Sequence, residues 1–203
     1  MNLSDSETKI NLLRAFAGES QARNRYEFAA GAAKKDKLPC IQQVFLYTAG
    51  QEKEHAEIFF NHLKKAGQAN VNLGGADYPV DLQDDMLTLL KNAHHNEYEE
   101  YESAYPAFAK KAKEEGFSAV AQSFEQIAGI EKTHGDRFAL FADLLERKSL
   151  FVSDVKTGWI CLNCGYVFEG TQAPQVCPVC SHEQGYFVRL ELSPWYPGNF
   201  KKG

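Results

Sequence analysis

The chain has 203 residues, of which 44% are hydrophobic and 24% charged, and its net charge is −5. This length allows one large domain, or a medium domain with a small one. The negative charge argues against nucleic acid or an anionic membrane as a partner, because both require a basic face. No apolar run approaches the roughly 18 residues that span a bilayer, and Met1 to Lys9 lacks the pattern of a secretory signal. We therefore expect a cytoplasmic protein without a nucleic-acid or membrane partner.

The first 147 residues predict helices. They are rich in Ala, Glu, Lys and Leu and contain few helix-breaking prolines. Residues 67–79 carry Gly74-Gly75 and no helical periodicity, so they predict a long crossover between the second and third helices. Two helical hairpins joined by a crossover predict an all-α four-helix bundle with a ferritin-like plan. The predicted helices are Ser6–Lys35, Pro39–Ala66, Asp81–Glu115 and Ser118–Arg147.

The C-terminal part has a different character. From Ser149 onward, β-branched and aromatic residues are punctuated by Gly, Pro and Cys. We expect a bundle over residues 1–147, a linker over 148–155 and a small β-rich domain over 156–203. A domain of about 50 residues buries too little apolar surface to be stable alone, so a bound metal is expected in it.

A Glu-x-x-His pattern occurs twice, as Glu52 to His55 and as Glu131 to His134. Residues three apart lie on one face of a helix, so each pair offers an oxygen and a nitrogen to one metal ion. Both pairs interrupt the apolar stripe that should face the core. One such pair often arises by chance on a solvated face, but two on core stripes predict metal ligands, because buried charges need partners.

The first and third helices add further carboxylates. Glu19 lies on the apolar stripe of the first helix. In the acid-rich third helix, a rotation of 100° per residue places Glu97 and Glu100 inward, whereas Glu99 and Glu102 point to solvent.

The spacing of these acids is nearly the same in the two halves of the bundle. Glu19 precedes Glu52 by 33 residues, and Glu97 precedes Glu131 by 34. One Glu from each of two helices and a Glu-x-x-His from each of the others is the pattern of dinuclear carboxylate sites. Glu100 is then a spare carboxylate. The mixed ligands suit iron or manganese and leave zinc open.

Two tyrosines and three histidines lie near these acids. Tyr26 and Tyr105 face inward about two turns from Glu19 and Glu97, where each could bond to a metal-bound carboxylate or simply pack in the core. The remaining histidines are expected to be structural or solvated, because the ligand set is complete without them: His62, His94 and His95.

Four cysteines form two C-x-x-C pairs separated by 12 residues, and they are Cys161, Cys164, Cys177 and Cys180. Two such pairs predict a four-thiolate site for iron or zinc, and the spacing does not choose between these metals. The fifth, Cys40, is expected to be a small buried hydrophobic residue.

At these motifs the chain resembles the rubrerythrin family over nearly its whole length. The matching segments are Ala17–Tyr26, Glu52–Ala56, Tyr105–Ala109, Phe124–His134, Cys164–Val167 and Ala173–Cys180. The resemblance implies a di-iron centre in a ferritin-like bundle and a rubredoxin-like Fe(Cys)4 domain, in which zinc could substitute for iron. It also implies that Glu19, Glu52, Glu97, Glu131 and His134 bind the irons. His55 and Glu100 would be alternative ligands of one iron as its oxidation state changes.

The resemblance further implies a peroxidase that reduces hydrogen peroxide to water. Electrons would come from rubredoxin or an NAD(P)H-dependent reductase through the four-cysteine iron, and a head-to-tail homodimer would bring one subunit's small domain to the other's di-iron site. Two alternatives remain: a ferroxidase that handles iron as ferritins do, and a zinc-ribbon interaction protein with a purely structural bundle. The tail over residues 191–203, which includes Pro194 and Trp195, is expected to pack on the small domain or at a dimer interface.

Overall fold

In this computed structural model the described residues, 2–67, 70–80 and 85–194, form five α-helices and a three-stranded sheet. None of these helices is long and apolar enough to cross a membrane. The helices are α1 (Glu7–Lys35), α2 (Pro39–Leu63), α3 (Met86–Glu99), α4 (Tyr105–Glu114) and α5 (Ser118–Glu146). The strands are β1 (Val152–Cys161), β2 (Val167–Gln172) and β3 (Phe187–Arg189).

The first hairpin, α1 and α2, has sharp local signals at its ends. Ser6 caps α1, because its side chain accepts a hydrogen bond from the Lys9 backbone N–H. The hairpin turn contains Lys37 in the left-handed backbone region, with φ of 57°. Pro39 then starts α2 at a position where its missing N–H leaves no helical bond unmade.

The predicted third helix over Asp81–Glu115 is helical without a break from Met86 to Glu114, but it contains one π-helical turn that the sequence did not predict. Residues 81–84 lie outside the described part, and α3 starts at Met86, where Asp85 accepts a hydrogen bond from the Thr88 N–H at 3.0 Å. One π-helical turn, Glu100–Ala104, then separates α3 from α4. The proline at the start of α4, Pro106, has no N–H to donate to the preceding turn, which favours the irregularity.

The crossover contains no helix over residues 70–80 and runs beside α1. The Tyr78 hydroxyl donates to the Arg14 carbonyl at 2.9 Å, and the Arg14 guanidinium donates to the Gly74 carbonyl at 3.3 Å. These bonds tie the crossover to the helix that carries Glu19.

Two apolar clusters fill the bundle. One contains Tyr26, Phe45 and Phe138, and the other contains Phe59, Tyr105 and Phe124. The buried acids and histidines lie along the helices between these aromatic groups, so they are enclosed by core packing at both ends.

The small domain is a β2-β1-β3 antiparallel sheet beside the cysteine pairs. Trp159, Phe187 and the cysteines Cys161 and Cys177 form its core. Strand β1 starts at Val152, inside the stretch predicted as a linker, because Val152 pairs with Gln172 at the start of the sheet. The predicted division into residues 1–147, a linker over 148–155 and a domain over 156–203 stays a prediction.

The small domain packs on one end of the bundle. Leu150 and Val188 are buried in the same cluster as Phe138. Gly185 lies so close to the α1–α2 turn that an added Cβ would sit 2.1 Å from the Lys37 carbonyl oxygen. Of the predicted tail, Leu192 packs against this cluster, and residues 195–203 lie outside the described residues.

Candidate metal centres

The bundle brings six of the seven predicted bundle ligands together. All six are at most 5% exposed. They form two overlapping groups whose potential ligand atoms lie within 4.8 Å of one another. The first group is Glu19, Glu52, His55 and Glu131, and the second is Glu52, Glu97, Glu131 and His134.

Glu52 and Glu131 belong to both groups and lie between the two imidazoles. His55 Nδ1 is 2.9 Å from one oxygen of Glu131 and 3.1 Å from one oxygen of Glu52. His134 Nδ1 is 2.8 Å and 2.9 Å from the other oxygen of each carboxylate. Each carboxylate thus turns one oxygen to each side, as a ligand that bridges two metal ions would.

The residues present fit a pair of divalent cations. Buried oxygens of Glu19, Glu52, Glu97 and Glu131 and both ring nitrogens of His134 make no well-aligned hydrogen bond to the described residues, although His134 Nδ1 lies close to two of these carboxylates. Unpaired polar atoms are costly in a protein interior, so their convergence requires a ligand. Four carboxylates carry four negative charges, which two divalent ions neutralise.

Without metal, the site holds its charges by sharing protons. Burial raises the pKa of Glu19 to about 8, against the opposing effect of the nearby His55 imidazole. Burial also opposes ionisation of Glu52, but the close imidazoles of His134 and His55 outweigh it and lower the pKa of Glu52 to about 2. The surrounding carboxylates overcome burial at the imidazoles, so the pKa of His55 rises to about 10 and that of His134 to about 11.

Glu100 is the predicted ligand that lies outside both groups. It is half-buried in the π-helical turn, and one of its oxygens lies 3.6 Å from where a Cβ on Gly18 would be. Burial and the neighbouring charges of Glu19, Glu97 and Glu52 raise the pKa of Glu100 well above its ordinary value. His55, and not Glu100, belongs to the group of converging ligand atoms that contains Glu19.

The two tyrosines reach across the bundle. Tyr26 donates its hydroxyl to Glu97, and Tyr105 donates to Glu19, so each tyrosine bonds to an acid of the opposite hairpin. Of the two interpretations left open by the sequence, hydrogen bonding to the cluster is the one that the structure shows. Glu99 and Glu102 are exposed, as the helical phase predicted.

The three other bundle histidines lie outside the two groups. His94 bonds to the Gly135 carbonyl at 3.0 Å, His62 bonds to the Ser123 hydroxyl at 2.9 Å, and His95 is exposed. Cys40 is buried in the apolar cluster next to the small domain.

The sequence reasoning passed over Arg137, one turn after His134. Its guanidinium donates to the Thr48 hydroxyl at 2.9 Å and lies 5.1 Å from the centre of the Tyr47 ring. Burial lowers the pKa of Arg137, while the charges of Tyr47, Glu52 and Glu97 oppose that shift. A basic residue following the ligand stripe was the signal that could have revealed this cation beside the cluster.

The four predicted cysteines of the small domain also converge. They form no disulfide, and the Cys161–Cys180 and Cys164–Cys177 sulfur atoms are each 3.7 Å apart. A tetrahedron with metal–sulfur bonds of about 2.3 Å requires sulfur atoms about 3.8 Å apart. The two pairs are shaped alike, because each is followed by a residue with positive φ, Gly165 or Ser181. The cluster is therefore spaced for one metal ion.

The family model for rubrerythrin matches residues 11–142, and the model for the rubrerythrin rubredoxin-like domain matches residues 159–188. Rubrerythrin-1 of Clostridium acetobutylicum is 44% identical over 190 residues, which cover 93% of this chain and 97% of that protein. The rubrerythrin of Nitratidesulfovibrio vulgaris is 41% identical over 95% of this chain and 98% of its own. A solved structure of mixed-valence nigerythrin has a TM-score of 0.61 at 26% identity, over 93% of each chain.

These matches cover both parts of the molecule in which potential ligands converge. The carboxylate and histidine cluster is the candidate di-iron site in this bundle, and the four-cysteine cluster is consistent with a rubredoxin-like iron site. The fold is a ferritin-like helical bundle with a small C-terminal strand region, as predicted. The chain belongs to the rubrerythrin family.

Proposed function

We propose that the protein is a peroxidase that reduces hydrogen peroxide to water at the di-iron site. The irons would be held by Glu19, Glu52, Glu97, Glu131 and His134, with His55 and Glu100 as alternative ligands of one iron. Rubrerythrins are known for peroxidase and oxidative-stress roles, which supports this assignment. When bound, two ferrous ions would supply the two electrons that, with two protons, reduce one hydrogen peroxide to two waters.

The observation that carries the proposal is the presence of a four-thiolate site on the same chain as the dinuclear cluster. A protein that stores iron has little need for a dedicated one-electron carrier, whereas a reductase must be re-reduced after each turnover. Cys164 is exposed, so this site has a face from which rubredoxin or an NAD(P)H-dependent reductase could deliver electrons.

The surrounding residues would keep the cluster in order during turnover. Tyr26 and Tyr105 each donate a hydrogen bond to a carboxylate of the cluster. Burial is the main cause that raises the pKa of both hydroxyls well above the ordinary value, so both remain protonated donors. The aromatic groups above and below exclude bulk water, which strengthens the electrostatic interactions within the site.

The position of the small domain supports a head-to-tail homodimer. Within one chain it packs at the α1–α2 turn, and Glu52 lies 13 residues beyond Pro39 on α2. At 1.5 Å per residue this is about 20 Å along the helix. A partner subunit in the opposite orientation would shorten the path by placing its four-cysteine site beside the bundle's middle. Cysteines paired for metal, not for disulfides, fit a reducing compartment, and we propose the cytoplasm.

Anaerobic stopped-flow spectroscopy tests the proposal. The fully reduced, iron-loaded protein is mixed with hydrogen peroxide while the absorption of both iron sites is followed. We expect rapid oxidation of the di-iron site, then oxidation of the four-cysteine iron, and repeated turnover with a reductase. Slow reaction with peroxide, together with fast consumption of oxygen and added Fe(II), would assign a ferroxidase instead.

A cysteine variant separates the two sites. Cys164→Ala should retain the first oxidation of the di-iron site by peroxide but lose repeated turnover, because re-reduction requires the four-thiolate iron. Cys40→Ala is the matched control, since Cys40 lies outside both sites, and it should turn over as the wild type does. Unchanged turnover of Cys164→Ala would show that electrons reach the bundle by another route.

A further inference from the structure

A cavity of about 400 Å³ lies between the crossover and the acid cluster. Its lining includes Gly18, which precedes Glu19, and Tyr105, which donates to Glu19. It also includes Glu100. Four other cavities are lined by none of the seven predicted bundle ligands. This cavity therefore adjoins the cluster on the side where Glu100 lies.

The wall of this cavity carries hydrogen-bonding groups of both signs. Arg14, Gln21, Arg25 and Asn96 line it together with Glu100. The Gln21 and Asn96 amide nitrogens are buried and donate to no other described residue, and the same is true of Arg14 Nε. Buried donors without partners indicate a place where small polar molecules complete the hydrogen bonding. Because cationic and carboxylate groups are mixed, the wall suits an uncharged guest that both donates and accepts.

Tyr78 of the crossover also lines the cavity. Its hydroxyl donates to the Arg14 carbonyl, and one ring carbon lies 3.7 Å from where a Cβ on Gly18 would be. The Glu100 carboxylate lies 3.6 Å from the same point. Because Gly18 has no side chain, the Tyr78 ring and the Glu100 carboxylate can both approach this point, one residue from Glu19.

We propose that this cavity binds small, uncharged, hydrogen-bonding molecules such as hydrogen peroxide and passes them to the metal pair beside Glu100. This inference rests on the proposed peroxidase function and adds the route by which the substrate arrives. The crossover is part of that route because its residues 75–79 line the cavity.

The test is to fill the cavity from the crossover. Ala76 lines it and is half-buried, so Ala76→Trp places an indole in the space without replacing a ligand residue. Ala107→Trp is the matched control, since Ala107 is exposed on α4 and lines none of these five cavities. Ser103→Trp fills the cavity from the π-helical turn and serves if the first variant does not fold.

Two readouts are taken on the iron-loaded proteins: the second-order rate of oxidation by peroxide, and the rate at which nitric oxide binds the reduced metal pair. We expect both filling variants to slow both rates by about tenfold or more, equivalent to ~1.4 kcal/mol or more, with iron content unchanged. Ala107→Trp should match the wild type.

The outcomes distinguish the cavity from the proposed function. If wild-type protein reacts with peroxide and the filling variants match Ala107→Trp in both rates, the cavity is not the route and the inference is overturned. If the wild type fails to reduce peroxide while filling still slows nitric oxide, the peroxidase function fails and the ligand route stands.

Discussion

Single glycines decide how closely two helices approach, and Gly135 does so beside a predicted metal ligand. It follows His134 on α5, and a Cβ there would lie 2.6 Å from the Tyr98 ring and 3.4 Å from the Glu97 Cβ. Those two residues belong to α3. The absence of a side chain at Gly135 therefore allows α3 to bring Glu97 to the cluster.

Gly135→Ala should destabilise the protein by about 1–3 kcal/mol, because the methyl group overpacks the α3–α5 contact. The control is Gly129→Ala on the same helix, where an added Cβ meets nothing within 4 Å. That control should stabilise by up to ~1 kcal/mol through helix propensity. Chemical denaturation measures both, and equal stabilities for the two variants would contradict the close-approach explanation.

A carboxylate from the end of α4 caps the start of α1. Glu115 accepts hydrogen bonds from the Glu7 and Thr8 backbone N–H groups at 3.0 Å and 2.8 Å, and from the Thr8 hydroxyl. Partial burial opposes its ionisation, but the bonds from Thr8 prevail and lower the pKa of Glu115 below its ordinary value. A carboxyl group whose pKa falls on folding stabilises the protein at pH values above its pKa in the unfolded chain. This stabilisation is lost as the pH drops through the pKa of the folded protein.

Glu115→Gln should therefore lower the free energy of unfolding by about 1 kcal/mol at pH 7, as other lost helix caps do. The difference from wild type should shrink below pH about 4, where the unfolded carboxyl is protonated. Glu114→Gln is the control, since within the described ranges Glu114 makes an exposed pair with Lys111 and no other ion pair. Thermal unfolding across this pH range gives the result, and a pH-independent difference would refute the charged cap.

At the scale of elements, the π-helical turn reconciles two unequal halves. Glu19 and Tyr26 are seven residues apart, whereas Glu97 and Tyr105 are eight apart. Seven residues return to the same face of an α-helix, but eight overshoot by most of a right angle. The Tyr105 N–H bonds to the Glu100 carbonyl five residues earlier, which absorbs the extra residue. Both tyrosines consequently occupy equivalent positions.

The equivalence predicts equal effects for Tyr26→Phe and Tyr105→Phe. Each change leaves a buried carboxylate oxygen without its hydroxyl donor, which costs about 1–3 kcal/mol in stability. Tyr101→Phe is the matched control, because the Tyr101 hydroxyl makes no hydrogen bond to the described residues. Denaturation of the three variants, with di-iron absorption as a second measurement, tests this. A large effect at only one of the two tyrosines would show that the halves are not equivalent.

The sequence predicts the helices well because their apolar periodicity and caps are local. The convergence of Glu19, Glu52, Glu97 and Glu131 follows from that periodicity, since acids on a core stripe must meet inside the bundle. The spacing is 33 residues from Glu19 to Glu52 but 34 from Glu97 to Glu131, which indicates one inserted residue in the second half without giving its position. The position of the π turn depends on how α3 packs on α5. The position of Glu100 outside both ligand groups depends on the space beside Gly18, which no local sequence pattern encodes.

The arrangement of the whole molecule depends on a contact that the sequence does not reveal. The small domain meets the α1–α2 turn at Gly185, where the Lys37 carbonyl occupies the place of a side chain. An ion pair between Lys37 and Glu183 at 3.3 Å lies beside it, but both side chains are largely exposed, so it contributes little. The docking thus relies on backbone proximity and on apolar residues such as Val188.

Gly185→Ala should loosen the small domain from the bundle, because the new methyl group would collide with rigid backbone and not with a flexible side chain. We expect the free energy of unfolding to fall by about 1–3 kcal/mol, as is typical of overpacking, and hydrogen exchange at the α1–α2 turn to become faster. Gly50→Ala is the control, since an added Cβ on that α2 residue meets nothing within 4 Å. The absorption of the four-cysteine iron should be unchanged in both variants, because Gly185 lies outside that cluster. Altered absorption with unchanged exchange at the turn would mean that Gly185 shapes the iron site and does not dock the domain.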